Sequence, residues 1–226
     1  QDEYLTIRNA EKGIVAMTEV NTVARQGSQH AHGDKLALWQ GDITRLECDA
    51  IVNAANAYML GCFIPMHSCI DNAIHTFAGV QMRLECSRQM EMLRALCGED
   101  YRQPTARPML TEGYNLPAKK VIHITGPIVA HELSREQEVQ LAACYRNVLN
   151  LCRQNGLRTV AFCCISTGIF GFPQREAASI AVRTVRAWLD AADSGITVVF
   201  NVFGEDDERL YRDLLAVQPA GGEGCA

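Results

Sequence analysis

The run at 159–165, TVAFCCI, is apolar at almost every position and shows no alternation that would leave one face in water. Such a strand is buried on both faces, and a sheet achieves that only when helices cover both sides, which calls for parallel strands joined by helical crossovers. The remaining chain supplies the parts. Strand patterns lie at 36–40, 50–53, 109–113, 120–125 and 196–200. Helical periodicity runs over 70–97 with a break near Gly79, and over 134–154, 174–189 and 205–215. Ser134 stands three residues before Gln137 as a capping box, and Asn155-Gly156 is a stop. The expected fold is α/β, a three-layer α/β/α sandwich with a mixed, largely parallel sheet.

A chain of 226 residues suits one domain. Residues 1–34 read as an N-terminal extension, partly helical, with a weak helical signal at 14–23 and a loop at 27–33. His30 and His32 sit in that loop among Gly, Ser and Gln, so a flexible connector is expected there rather than a metal site. The folded unit spans 35–217, and 218–226 reads as a disordered tail. The net charge of −5 and the scattering of basic residues argue against duplex nucleic acid as a partner, because such binding neutralises many phosphates. The 10 cysteines lie mostly inside apolar runs and show no disulfide-framework spacing, which fits reduced thiols in a cytoplasmic protein. No apolar run approaches the length of a membrane span.

Three stretches carry chemistry. Cys62, His67 and Cys69 form a C-x4-H-x-C triplet of two thiols and an imidazole, the donors that zinc favours, and three ligands leave a tetrahedral ion one open position. A free cysteine is also a small buried hydrophobe, so the triplet alone keeps both readings. Asp71 and His75 follow at once on the next predicted helix. The turn at 166–173, STGIFGFP, joins a strand to a helix; Gly168 and Gly171 let backbone approach a ligand, and the helix start offers unpaired N–H groups, which suits a diphosphate. It matches neither the Walker A pattern nor G-x-G-x-x-G.

Gly41-Asp42-Ile43-Thr44, the block 50–56 (AIVNAAN), the block 70–75 (IDNAIH) and the turn 166–173 occur in an order that resembles the macrodomain family, whose members bind ADP-ribose. Many macrodomains carry a glycine run where this chain has 62–69 (CFIPMHSC), and that departure resembles the zinc-containing subclass, whose members remove mono-ADP-ribose from proteins. The resemblance implies Asp42 at the adenine amino group with Ile43 beside it, Asn56 at the distal ribose, and Asp71 facing that ribose as a catalytic carboxylate with Asn56. It further implies Ser166, Thr167, Gly168, Ile169 and Phe170 around the diphosphate, Phe203 as an adenine wall, and Cys62, His67 and Cys69 on zinc. The implied activity is zinc-dependent hydrolysis of mono-ADP-ribosylated proteins, with Asp/Glu esters as the linkage. A non-catalytic ADP-ribose reader with a structural zinc and an O-acetyl-ADP-ribose deacetylase are the alternatives. Asn53, His75 and His123 are expected to do structural work.

Overall fold

A computed structural model describes residues 1–65, 67–191 and 195–217; the tail expected at 218–226 lies outside them. The apolar run that set the expectation does form an inner strand. β7 (Thr159–Phe162) lies between β8 (Thr197–Val202) and β4 (Ala50–Ala54). Beyond β8 comes β2 (Leu36–Gln40), and beyond β4 come β6 (Lys120–Ile124) and β5 (Met109–Glu112), giving the order β2-β8-β7-β4-β6-β5. Every pairing is parallel except β5 with β6. The regular ladder ends at Phe162 rather than at 165, because Cys163 to Ile165 leave it to reach the cleft described below while remaining buried or nearly so.

Helices cover the sheet. α2 (Ile70–Ala78) and α3 (Val80–Cys97) pack on β4 and β5, and the break between them falls at Gly79, whose φ of 95° suits glycine. α4 (Arg135–Gln154) and α5 (Gln174–Ala191) lie side by side, and α6 (Glu205–Leu214) lies on β2 and β8. The α4 capping box forms as expected between Ser134 and Gln137. The sheet is thus buried on both sides, with Tyr145 of α4 stacked 4.9 Å from Phe162 of β7. Among the described residues no helix is long and apolar enough to cross a membrane.

The extension differs from expectation. Its helix, α1, is Asp2–Glu11, and the expected helical signal at 14–23 holds instead the short strand β1 (Val15–Ala16), paired with β3 (Leu46–Glu47). β-branched residues and the turn at Gly13 favour extended backbone there, whereas α1 has too few apolar residues to show a period. The loop with the two histidines is fastened at both ends of its span: Ser28 Oγ donates to the Leu215 carbonyl, and His32 Nε2 lies 2.6 Å from Asp190 Oδ1. Asn9 anchors α1, donating from Nδ2 to the carbonyls of Phe77 at 3.1 Å and Asn115 at 2.6 Å. Replacing Asn9 with Ala strips both carbonyls of their donor and is expected to lower stability by about 1–3 kcal/mol, read from the midpoint of urea denaturation.

Candidate functional site

Parallel strands end together, and here their carboxyl ends open onto one cleft of about 600 Å³. It is lined by the turn after β2 (Asp42, Ile43), the turn after β7 (Ser166 to Phe170), Phe203 after β8, and His67, Ser68 and Cys69 ahead of α2. Asn201, near the end of β8, holds the first of these turns by donating to the Gly41 carbonyl at 2.9 Å. Asp42 caps the 3-10 turn Ile43–Arg45, its Oδ1 accepting from Thr44 N at 3.0 Å. Asn201, Gly126 and Asp207 also line the cleft and were not singled out in the sequence; the signal for Asn201 was a polar residue near the end of an otherwise apolar strand.

The turn after β7 is built to present backbone. Ser166 takes a left-handed φ of 67°, and Gly171 one of 68°. The loop closes on itself through Phe172 N to Ser166 O at 3.0 Å and Gly171 N to Gly168 O at 2.9 Å. The amides of Thr167, Gly168, Ile169 and Phe170 donate to no protein group among the described residues. Ser166 is 5% exposed and its Oγ has no hydrogen-bond partner. Free donors gathered at one end of a cleft, next to a helix start, form an anion site.

Ahead of α2, Cys62 Sγ and His67 Nδ1 are 3.3 Å apart, and the ligand atoms of Cys62, His67 and Cys69 all lie within 4.8 Å of one another. Ordinary zinc–sulfur and zinc–nitrogen lengths in a tetrahedron place such atoms about 3.6 Å apart, so this donor set fits a zinc ion. Cys69 is also the cap of α2, its Sγ accepting from Asn72 N at 3.4 Å. Burial pushes the Cys69 thiol up, against the opposing pull of that amide.

Asn56 and Asp71 come together but are not among the residues that line the cleft. Asp71 is 4% exposed, and its Oδ2 accepts from Asn56 Nδ2 at 3.4 Å. Asn56 is held from both sides, by Tyr58 N on its Oδ1 at 3.0 Å and by the Gly61 carbonyl on its Nδ2 at 3.1 Å. Burial pushes the Asp71 carboxyl up to about 6, with the Asn53 hydrogen bond and the Arg83 charge pulling the other way.

Behind Asp71 a hydrogen-bonded chain crosses the sheet. Asn53 Nδ2 donates to Asp71 Oδ1 at 2.7 Å and lies 3.0 Å from His123 Nδ1, and His123 Nε2 lies 3.0 Å from Thr111 Oγ1. The Asp71 carboxylate only accepts, so the Asn53 amide must present nitrogen, which leaves His123 Nδ1 as acceptor and its proton on Nε2. His123 is therefore packed, as expected, but inside a polar chain. His75, Cys86 and His123 also bring ligand atoms within 4.8 Å of one another. Both ring nitrogens of His123 are engaged in hydrogen bonds, whereas those of His75 are buried without a hydrogen-bond partner.

The Macro domain family profile matches residues 52–181. The chain belongs to the Macro domain family. This macrodomain is 44% identical over 216 residues to a protein named protein-ADP-ribose hydrolase from Treponema medium, covering 96% of this chain and 78% of the relative. A protein of the same name from Staphylococcus aureus is 46% identical over 213 residues, covering 94% and 77%. The solved Trypanosoma brucei macrodomain in complex with ADP-ribose superposes with a TM-score of 0.73 at 33% identity, covering 89% of this chain and 76% of that one.

Two consequences can be measured. A Cβ on Gly126 would lie 2.1 Å from Ser166 Oγ, so Gly126→Ala is expected to displace Ser166 and weaken anion binding at least severalfold, read by calorimetric titration with ADP-ribose. Burial pushes His123 down to about 3 from an ordinary 6.5, so between those values the unfolded chain binds the extra proton and stability falls as the solution is acidified. From pH 7 to pH 5 this residue alone is expected to cost about 2 kcal/mol, and His123→Gln should remove that share of the slope in urea denaturation.

Proposed function

We propose that this macrodomain binds ADP-ribose in the cleft and hydrolyses it from mono-ADP-ribosylated proteins, with Asp and Glu esters as the linkage. The observation that carries the binding half is the set of four unengaged amides from Thr167 to Phe170 beside the unpartnered Ser166 hydroxyl. They supply donors to the diphosphate without displacing any protein partner. Asp42 then receives the adenine amino group, with Ile43 beside it, and Phe203, 79% exposed at the rim, is the wall against the base. In this reading the distal ribose lies toward His67, Ser68 and Cys69, which also line the cleft. The names and the ADP-ribose complex of the relatives support the same assignment.

Cys62, His67 and Cys69 would hold zinc in this proposal, and His67 and Cys69 are among the residues that line the cleft. Bound there, zinc supplies Lewis acidity and a template for the distal ribose, weakened as an acid by two thiolates. The chain's own residues do the rest. Asn56, its amide pinned at both ends, fixes the Asp71 carboxylate through Nδ2 and orients it toward the ribose. Asp71 accepts a proton from the attacking water; the hydroxyl joins the anomeric carbon, and the protein carboxylate departs with the bonding pair. Because Asp71 is 4% exposed, the groups packed around it must shift for it to reach the sugar.

That burial favours one other reading, an ADP-ribose-binding module in which the zinc is structural and no turnover occurs. Metal content and turnover of a glutamate-linked conjugate, measured on the same preparation, separate the two. Cys69→Ala is expected to lose both zinc and hydrolysis while ADP-ribose affinity changes by no more than a fewfold. Full turnover by a metal-free, folded preparation would remove zinc from the reaction; no turnover by the zinc-loaded protein, with normal ADP-ribose binding, would leave the binding module.

A further inference from the structure

The extension delivers a cation to the purine end of the cleft. α1 ends at Lys12, Gly13 turns the chain with a φ of 79°, and β1 follows, paired to β3. Both flanks of Lys12 are fixed, by Asn9 on the carbonyls of Phe77 and Asn115 and by Arg45 Nε donating to the Gly13 carbonyl at 2.7 Å. From that anchorage Lys12 Nζ reaches Asp42 Oδ2 at 2.7 Å and donates to Thr44 Oγ1 at 2.6 Å. The ammonium sits 3.3 Å over the centre of the Phe77 ring, and the side chain is 18% exposed. Thr44 closes the triangle, donating from Oγ1 to Asp42 Oδ1 at 2.7 Å and from its backbone amide to the same oxygen at 3.0 Å.

Burial alone would raise the Asp42 carboxyl; the Lys12 and Thr44 hydrogen bonds outweigh it and hold the group below its ordinary value. The carboxylate is thereby fixed in plane as well as in charge. Oδ1 accepts twice from Thr44 and Oδ2 once from Lys12, which leaves about one lone pair, on Oδ2, for a ligand. A carboxylate so held accepts from an amino group on a purine and opposes a carbonyl at the same position, since two acceptors then face each other.

We propose that Lys12 is a positioning residue for purine recognition: by pinning Asp42, the N-terminal segment makes the cleft select a 6-amino purine over a 6-oxo purine. The proposal rests on Asp42 as the adenine acceptor in the function proposed above. It gives the extension a role in the site and not only in covering α2.

The test compares ADP-ribose with inosine diphosphate ribose, which differs in having a carbonyl where adenine has its amino group, by calorimetric titration of the full chain. Wild type is expected to prefer ADP-ribose by roughly tenfold or more, the cost of an unpaired polar group. Lys12→Met should shrink that ratio at least threefold, and in an Asp42→Asn background the same substitution should change neither affinity further. Should Lys12→Met fail to fold, Lys12→Gln keeps a donor for Thr44 and removes the charge, and carries the same expectation. An unchanged ratio in the folded variant, or an equal effect of Lys12→Met with and without Asp42, overturns the proposal. Absence of ADP-ribose binding by wild type would instead overturn the reading of the cleft.

Discussion

A parallel sheet covered on both faces has to send its chain back through helices, and every strand therefore finishes at the same edge. All the rest of this molecule depends on that constraint. Asp42 follows β2, Asn56 follows β4, Ser166 follows β7 and Phe203 follows β8, and residues far apart in the chain meet because their strands run the same way. Only β5 breaks the direction, at the sheet edge, and the residue it contributes, Thr111, works behind the site rather than in it.

The turn after β7 and the Cys62, His67 and Cys69 cluster present different kinds of group. The turn after β7 offers neutral dipoles, preset by the left-handed backbone at Ser166 and Gly171, and pays the strain of that conformation within a loop closed by its own hydrogen bonds. The Cys62, His67 and Cys69 cluster is made of side chains, two thiols and an imidazole, and nearby in the chain Asp71 has partners that run across β4 and β6 to Thr111 of β5. Asn53 is the hinge of that network. It sits in register with His123 on the neighbouring strand, so one amide satisfies both the carboxylate and the imidazole.

The fold was largely legible because its signals are local. The apolar run of β7, the Ser134–Gln137 cap and the break at Gly79 each require one backbone solution whatever surrounds them. The turn at 166–173 was legible as a backbone presenter for a similar reason: its glycines and proline dictate its shape. What stayed hidden depends on contacts between distant residues. Nothing in the spacing of Lys12 signals a partner 30 residues away at Asp42, and the burial of Asp71 arises only when α2 docks on β4. His123 shows the middle case, its burial readable from the strand pattern and its hydrogen-bond partners not.

Cys69 stands where two demands meet, since its sulfur both faces the cleft and terminates α2. A serine at this position would keep an acceptor for the Asn72 amide but give up the soft donor; an imidazole would do the reverse. In the proposed zinc site few side chains would meet both demands, although the position lies on a loop, the part of a protein where sequence is ordinarily most free to vary.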